Sequence, residues 1–237
     1  MSSSLASNFM TKTIFITGAS SGIGEATAKR LALAGWQVVL AARSEDKLTA
    51  LAEHIGKDKA FVTACDVTDY KSLETAIASA VDHFGSVDAI FANAGTGGEA
   101  GGFSEAPRES WEKIVQINIL GLAYTLQAAL PQIKAAKGHV VITGSIAGRR
   151  SLAGSMYSAS KHAANAIGYN LRGELKGTGC RVTVIEPGMV DTPFFDDEKP
   201  EALRPDDVAR TVEFALGQPE TVDIHELVVL PTPQQAS

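Results

Sequence analysis

The chain has 237 residues and a formal net charge of -6, with 45% hydrophobic and 20% charged residues, as is ordinary for a soluble globular domain. The mild acidity argues against a nucleic-acid groove, which requires a clustered basic face. The two isolated cysteines, Cys65 and Cys180, exclude a disulfide scaffold and argue against a zinc cluster.

Residues 1–10 are rich in serine and contain neither a basic residue nor an apolar core, so we predict a disordered leader and not a signal peptide. Residues 11–231 are predicted to form one domain, and residues 232–237 a polar C-terminal tail. No apolar run approaches the roughly 18–20 residues that a membrane span requires. We therefore expect a cytoplasmic protein without a membrane or nucleic-acid partner.

Short apolar runs alternate with longer helix-forming stretches along the rest of the chain. The predicted strands are 13–17, 37–41, 60–64, 87–92, 138–143, 181–185 and 226–230. The predicted helices are 23–34, 45–55, 68–84, 108–136 and 156–175. Because the strands are almost continuously apolar, they fit a parallel sheet that is buried on both faces. We predict an α/β fold, a three-layer doubly wound parallel sheet of about seven strands with helices on both faces.

A glycine loop, Thr17-Gly18-Ala19-Ser20-Ser21-Gly22-Ile23-Gly24, joins the first predicted strand to a helix. Gly18 permits a tight turn, Gly22 lets the backbone approach a pyrophosphate, and Gly24 allows close packing of helix on strand. The N–H groups at the start of the helix favour phosphate. The alternative is a tight turn that binds nothing. The spacing G-x-x-x-G-x-G, without a following Gly-Lys-Ser/Thr, argues against a nucleoside-triphosphate loop. The predicted dinucleotide-binding residues here are Gly18, Ser20, Ser21, Gly22, Ile23 and Gly24.

The end of the second predicted strand indicates which dinucleotide binds. A NAD site usually has Asp or Glu there to hold the ribose 2′-hydroxyl, but this chain has Arg43 and Ser44. Arg43 can pair with a 2′-phosphate, and Ser44 can add a hydroxyl group. We therefore predict NADP(H) in preference to NAD(H). The alternative is a solvated arginine at the start of a helix.

Ser145 follows a predicted strand, and Tyr157 and Lys161 are four residues apart on one predicted helix face. A carbonyl that accepts hydride needs a proton, which Tyr157 can supply. A phenol with a pKa of about 10 is a poor base at neutral pH, and lowering this pKa by ~3 requires ~4 kcal/mol. One ammonium at ~4 Å, with an effective dielectric near 20, supplies about that energy. Ser145 can donate a hydrogen bond to the same oxygen. The Tyr/Lys spacing alone is also common on solvated helix faces.

Together these motifs resemble the short-chain dehydrogenase/reductase family, in its core-length, single-domain, NADP-preferring branch, over about residues 12–230. The remaining motifs that carry the resemblance are Cys65-Asp66-Val67, Asn93-Ala94-Gly95, Asn118, and Glu186-Pro187-Gly188-Met189-Val190-Asp191-Thr192. The gap from Ser145 to Tyr157 is twelve residues, where the family commonly has thirteen.

The resemblance implies a Rossmann fold and a catalytic tetrad of Asn118, Ser145, Tyr157 and Lys161. Tyr157 is the implied general acid/base, Lys161 lowers its pKa and binds the nicotinamide ribose, and Asn118 holds a water behind Lys161. The further cofactor contacts that the resemblance implies are Asp66, Val67, Asn93, Ala94, Gly95, Pro187, Gly188, Val190 and Thr192. It also implies a homotetramer, or a homodimer, with the long helices 108–136 and 156–176 in one interface.

The substrate region is expected between residues 95–103, 149–156 and 189–199. Phe194, Phe195 and Met189 are candidates for an apolar wall, or they only pack the lid on the core. Arg149 and Arg150 attract a carboxylate substrate, or they form a solvated loop. No histidine has the spacing of a metal ligand, so no metal site is predicted.

The predicted function is an NADP(H)-dependent oxidoreductase that interconverts a secondary alcohol and a ketone, or a hydroxy acid and a keto acid. The alternatives are a catalytically silent dinucleotide-binding sensor or scaffold and a 3-oxoacyl reductase. The C-terminal Val229-Leu230-Pro231-Thr232 disfavours the 3-oxoacyl reductase, because many such members of the family end in Gly-Gly. An epimerase or dehydratase normally has a longer C-terminal substrate domain.

Overall fold

The computed structural model describes residues 11–195 and 197–232, so the predicted leader (1–10) and most of the predicted tail (233–237) lie outside the described residues. The strands are β1 (Thr13–Thr17), β2 (Gln37–Ala42), β3 (Ala60–Ala64), β4 (Ala89–Ala92), β5 (His139–Thr143), β6 (Arg181–Pro187) and β7 (Glu226–Val229). They form one sheet in the order β3-β2-β1-β4-β5-β6-β7, and every neighbouring pair is parallel.

The α-helices are α1 (Gly22–Leu33), α2 (Glu45–Ile55), α3 (Tyr70–Phe84), α4 (Gly102–Glu105), α5 (Arg108–Ile114), α6 (Leu122–Ala136), α7 (Met156–Glu174) and α8 (Pro205–Leu216). A π-helix (Val115–Gly121) joins α5 to α6, and one 3₁₀ turn (Ile146–Gly148) follows β5. Every residue of β1, β4 and β6 is buried, since these strands are covered on both faces. Two apolar clusters pack on opposite faces of the sheet, one containing Phe15 and Ile142 and the other Ile14 and Phe91. The prediction of a doubly wound parallel sheet of seven strands is confirmed.

Besides the short helix α4 and the 3₁₀ turn, two longer elements were not predicted. The first is α8, which begins with Pro205 and a capping box between Arg204 and Asp207 and buries Val208 and Val212 against the sheet. The second is the π-helix, which interrupts what the sequence predicted to be one α-helix over 108–136. A π-helical turn has no reliable sequence signal, and it frequently marks a functional site.

One helical segment, Arg108–Ala136, is long and apolar enough by length and composition to cross a membrane, with a hydropathy of 1.3. The expectation that no segment approaches this length was therefore wrong. In this fold the segment contributes Ile114, Leu122, Leu126 and Ile133 to the interior, where they are 0 to 7% exposed. These residues cover the sheet and α3, so the apolar composition is explained by burial in the protein core.

The strand order places the functional edge. β1 lies inside the sheet, the chain proceeds from it outward to β2 and β3, and it then returns to β4 on the other side of β1. At such a switch point the connections leave in opposite directions, which opens a crevice at the carboxyl ends of the strands.

Candidate active site

A cleft of about 1100 Å³ runs along the carboxyl ends of β1 to β6. Nineteen of the predicted site residues line it, namely Gly18, Ser20, Ser21, Gly22, Ile23, Arg43, Ser44, Asp66, Val67, Asn93, Ala94, Gly95, Ser145, Tyr157, Lys161, Pro187, Gly188, Val190 and Thr192. The other two, Gly24 and Asn118, lie behind the lining. The cleft therefore gathers nearly all candidate residues at one edge of the sheet.

The glycine loop has the shape of a phosphate cradle. Gly18 and Gly22 have positive φ angles of 66° and 56°, which side chains rarely adopt. A Cβ on Gly24 would lie 2.2 Å from the carbonyl oxygen of Gly18, so only glycine lets α1 pack this closely on the loop. Ser21 precedes α1 without a side-chain hydrogen bond to its N–H groups. The positive end of α1 is therefore available to an anion at the cleft wall.

At the far end of the cleft, Arg43 is exposed just beyond β2. Asp66, beyond β3, accepts hydrogen bonds from the backbone N–H (2.9 Å) and hydroxyl (2.8 Å) of Thr68. These bonds lower the pKa of Asp66, and the charge of Arg43 adds to the effect. The cleft end thus presents an exposed guanidinium beside an ionised carboxylate.

Asn93 ties the central strands together. Its amide donates to the carbonyl oxygen of Thr17 at 3.1 Å, and its oxygen accepts from the hydroxyl of Thr143 at 3.0 Å. The Thr17 hydroxyl in turn accepts from the backbone N–H groups of Asn93 and Ala94. The hydrogen bonds of the Asn93 side chain are therefore made to β1 and β5. They hold the ends of these strands together and so fix the floor of the cleft.

Ser145, Tyr157 and Lys161 converge beside this floor. The Ser145 hydroxyl caps the 3₁₀ turn, accepting from the backbone N–H of Ala147 at 3.1 Å. Lys161 lies one turn beyond Tyr157 on α7, with its Nζ 5.7 Å from the centre of the Tyr157 ring. The hydroxyl of Ser158 donates to the carbonyl oxygen of Ala147 at 2.7 Å, which joins the start of α7 to the turn that carries Ser145. The twelve-residue gap therefore still brings Ser145 to Tyr157.

Burial dominates the protonation of both ionisable groups. It raises the pKa of Tyr157 above its ordinary value of 10, and a hydrogen bond with Ser145 opposes this only in part. It also lowers the pKa of Lys161 from 10.5 to about 8. Desolvation of the phenolate is the main cause of the raised pKa of Tyr157. The implied lowering of this pKa by Lys161 stays a prediction.

Lys161 is held by one backbone group. Its Nζ donates to the carbonyl oxygen of Thr143, the last residue of β5, at 2.8 Å. Thr143 was not among the predicted site residues, and its role depends on a backbone atom that any residue would supply. The ammonium is thus fixed at the end of the strand that leads to Ser145.

Asn118 lies in the π-helix and is 4% exposed. Its oxygen accepts from the backbone N–H of Thr96 at 2.8 Å, and its amide donates to the Thr96 carbonyl oxygen at 2.9 Å and to the Ser160 hydroxyl at 3.0 Å. The side chain therefore fixes the loop after β4 against α7. The implied role of Asn118 in holding a water stays a prediction.

Arg149 and Arg150 are both exposed, as the solvated-loop interpretation expects, but Arg149 also forms ion pairs. Its guanidinium forms ion pairs with Glu186, which is fully buried in β6, and with Glu226 in β7. Asn165, one turn after Lys161, also donates to Glu186. The guanidinium of Arg149 is thus exposed but already paired with two carboxylates, and it ties the segment after Ser145 to β6 and β7.

The lid contributes one aromatic side chain directly to the site. The ring of Phe194 lies 5.5 Å, centre to centre, from that of Tyr157. Of the two interpretations of Phe194, the structure favours the cleft wall, because the side chain lines the cleft and is 44% exposed.

Comparisons with known proteins agree on one group. Residues 12–202 match the family described as short chain dehydrogenase. An uncharacterized oxidoreductase of Staphylococcus haemolyticus is 42% identical over 223 residues, covering 91% of this chain and 95% of that protein. An alcohol dehydrogenase of the archaeon Thermococcus sibiricus, complexed with 5-hydroxy-NADP, has a TM-score of 0.88 at 31% identity and covers 96% of this chain and 99% of its own. Serine dehydrogenase from Escherichia coli has a TM-score of 0.86 at 31% identity, covering 94% of this chain and 100% of its own.

Proposed function

This chain belongs to the short-chain dehydrogenase/reductase family of oxidoreductases, and on that premise we propose that it is an NADP(H)-dependent carbonyl reductase or alcohol dehydrogenase. It interconverts a ketone and a secondary alcohol, with Tyr157 as the general acid/base. The observation that carries the proposal is the convergence of Tyr157, Ser145 and Lys161 in one cleft with the glycine loop.

The residues present fit a nicotinamide dinucleotide. A Cβ on Gly22 would lie 3.1 Å from the Thr192 side chain, so glycine keeps the space between the loop and the segment after β6 open. The start of α1 would hold the pyrophosphate, Arg43 and Ser44 the 2′-phosphate, and Asp66 and Val67 the adenine. Lys161 would hold the nicotinamide ribose, and Val190 and Thr192 the carboxamide, with Pro187 and Gly188 as further cofactor contacts. When bound, the nicotinamide supplies or accepts the hydride.

The chain's own residues handle the proton. Because the pKa of Tyr157 is raised above 10, the phenol is protonated at neutral pH and is ready to donate to a carbonyl oxygen as it becomes an alkoxide. Ser145 donates a second hydrogen bond to that oxygen. The ammonium of Lys161, 5.7 Å from the Tyr157 ring, stabilises the phenolate that remains. This arrangement favours reduction at neutral pH.

The preference for NADP(H) is supported by Arg43. An exposed guanidinium follows β2, at the position where a NAD site has an acidic side chain. It is free to form a forked hydrogen bond with a phosphate. The similar alcohol dehydrogenase complexed with 5-hydroxy-NADP is consistent with this choice.

We also infer a cytoplasmic, single-domain enzyme, supported by the one shared cleft and by two free cysteines, Cys65 and Cys180. The proposed assembly is a homotetramer through the outer faces of α5–α6 and α7. Light scattering coupled to gel filtration measures its mass directly.

The test is oxidation of NADPH and of NADH by the purified protein with ketones, keto esters, keto acids and aldehydes, alongside the variant Tyr157→Phe. We expect turnover with NADPH, and loss of nearly all of it in the variant without loss of NADPH binding. Tyr124→Phe, on α6, is the matched control and should retain turnover. Equal turnover by the parent and Tyr157→Phe would refute the general acid, and NADPH binding with no turnover of any carbonyl would favour a sensor.

A further inference from the structure

Large apolar side chains line the substrate end of the cleft around Phe194, and from this we propose that the substrate is an uncharged ketone bearing an apolar ring, aromatic or alicyclic, that packs on Phe194. This inference rests on the proposed function, since it names the class of carbonyl compound that Tyr157 protonates. It makes Phe194 a specificity-determining residue.

Phe194 stands beside the reacting atoms. Its ring is tilted at 57° to the Tyr157 ring at a centre-to-centre distance of 5.5 Å, and it meets the Phe195 ring edge-on at 5.2 Å. The phenol that delivers the proton is thus flanked by an aromatic face. A substituent on the carbonyl carbon must lie against that face when the carbonyl oxygen is within reach of Tyr157 and Ser145.

A glycine in the loop after β4 makes room for this ring. A Cβ on Gly97 would lie 2.9 Å from Cζ of Phe194 and 3.2 Å from its Cε1. Any side chain at residue 97 would push the ring away from the loop. The position of Phe194 is therefore set by Gly97 on one side and by Tyr157 on the other.

The outer wall of this end is closed by two further glycines. A Cβ on Gly154 would lie 2.8 Å from the Cα of Gly102, so the loop before α4 touches the loop before α7. The large apolar side chains that line this end of the cleft are Trp111, Ile114, Leu152, Met156, Met189 and Phe194. Leu152, Met189 and Phe194 remain 48, 51 and 44% exposed, a clustered apolar surface that is typical of a ligand site.

The charges of the cleft do not suit a carboxylate substrate. Among the described residues, the charged side chains that line it are Arg43, Asp66, Glu99, Lys113 and Lys161. Arg43 follows β2, three strands from β5 and Ser145, which is about 14 Å at the usual strand spacing. Lys161 is committed to the Thr143 carbonyl oxygen.

The two remaining charged side chains, Glu99 and Lys113, are opposite in sign, and both are exposed to solvent. The backbone N–H of Glu99 is bonded to the Ser110 hydroxyl at 3.1 Å, which places Glu99 beside the helix that bears Lys113 one turn later. Arg149 is consumed by Glu186 and Glu226. Among the described residues that line the cleft, Lys161 is the one buried cation, and it is already bonded to Thr143. A carboxylate held next to Tyr157 would therefore lose water without gaining a further buried partner, and that loss is costly.

The experiment compares two matched pairs of probes with NADPH: ethyl benzoylformate against benzoylformate, and ethyl pyruvate against pyruvate. Within each pair the ester removes the charge and adds an ethyl group, and between the pairs a phenyl ring replaces a methyl group. We expect kcat/KM for the ring-bearing ester to exceed that of its acid by about a hundredfold, because the acid buries an unpaired charge. We expect Phe194→Ala to lower kcat/KM for ethyl benzoylformate by about tenfold or more, as loss of a buried ring contact implies.

Ethyl pyruvate should change by less than about threefold in Phe194→Ala, since it has no ring to lose the contact. Gly97→Ala should show the same selective loss, because it displaces Phe194 without removing it. Phe214→Ala on α8, an exposed phenylalanine far from the cleft, is the matched control and should leave both esters unaffected. Acids reduced as well as esters, or equal losses for both esters in Phe194→Ala, would overturn this inference while leaving the proposed function intact. No reduction of any ketone, despite NADPH binding, would instead overturn the proposed function and this inference with it.

Discussion

Replacement of Lys161 by methionine should make the protein more stable at neutral pH while removing its activity. Lys161 is 6% exposed, and its burial lowers its pKa from 10.5 to about 8. This change in pKa corresponds to about 3 kcal/mol by which the folded state disfavours the charged amine. Methionine has a similar length and carries no charge, so Lys161→Met removes this penalty.

The pH dependence identifies the cause. Below pH 8 Lys161 is charged in both the folded and the unfolded chain, and the folded state bears the whole penalty. Between about 8 and 10.5 the folded chain releases its proton first, so the unfolded chain binds more protons and the stability of the parent rises with pH. The advantage of Lys161→Met should therefore shrink by about 3 kcal/mol between pH 7 and pH 10.5. The lost hydrogen bond to the Thr143 carbonyl oxygen subtracts about 1 kcal/mol, so the net gain at pH 7 is about 2 kcal/mol.

Urea unfolding from pH 6 to 10.5, followed by the fluorescence of Trp36 and Trp111, measures both quantities. Lys176→Met removes an exposed lysine just beyond α7 and is the control, whose stability curve should run parallel to that of the parent. If the curve for Lys161→Met also runs parallel, the ammonium is not desolvated and the reasoning fails. Turnover should be lost in Lys161→Met regardless of its stability.

Four other outcomes are expected. For carbonyl reduction, kcat/KM should fall as the pH rises through about 8, because Lys161 loses its charge. For alcohol oxidation, kcat/KM should rise toward higher pH, because the raised pKa of Tyr157 keeps the phenol protonated at neutral pH. A flat pH profile in both directions would contradict the roles of these two groups. Arg43→Ala should raise the KM for NADPH about tenfold to hundredfold, because a charge-assisted hydrogen bond is lost, and it should leave the KM for NADH nearly unchanged. Lys47→Ala is the control. Equal losses of affinity for both cofactors would exclude the 2′-phosphate contact. Arg149→Met should lower the free energy of unfolding by about 3 kcal/mol at pH 8, because it leaves the buried Glu186 carboxylate without its ion-pair partner. The loss should be smaller at pH 5, where Glu186 can take up a proton. Urea titrations at the two pH values measure the difference. Gly24→Ala should destabilise the protein and abolish NADPH binding, because the new Cβ would lie 2.2 Å from the Gly18 carbonyl oxygen. Gly173→Ala on α7 should stabilise the protein by up to about 1 kcal/mol, because no atom lies within 4 Å of the new Cβ. Thermal melts with and without NADPH distinguish the two outcomes.

The regular part of the fold could be predicted because its signals are local. Strands β1 and β3 and helix α2 begin and end at the predicted residues, since apolar β-branched runs are bounded there by polar or glycine residues. Helix α8 also carries readable signals, with Pro205 at its first position and buried Val208 and Val212 four residues apart. The sequence analysis assigned no element between the substrate region, which ends at residue 199, and the strand predicted at 226–230, so this helix was missed.

The site was predictable to the extent that its chemistry lies in short motifs. The glycine loop and the Tyr157/Lys161 pair are each one local segment, and parallel strands bring such segments to the same edge. What could not be predicted depends on residues far apart in the chain. Arg149 reaches Glu186 and Glu226, 37 and 77 residues away, and no local pattern announces such a pair.

The buried polar groups around the active site are where the structure differs most from what the sequence predicted. Folding buries Lys161, Glu186 and Tyr157, and in each case burial disfavours the charged form. The charge of Glu186 is stabilised by an ion pair with Arg149 and a hydrogen bond from Asn165. These two residues follow Ser145 and Lys161, respectively, by four positions in the chain. Lys161 has only a backbone carbonyl oxygen at 2.8 Å, which accepts a hydrogen bond but carries no full negative charge. Among the residues that the structure describes, Lys161 is thus the buried charge of this site without a counter-ion, and it is the charge that reduction would use. An increase in stability on its removal would distinguish a functional lysine from a structural one.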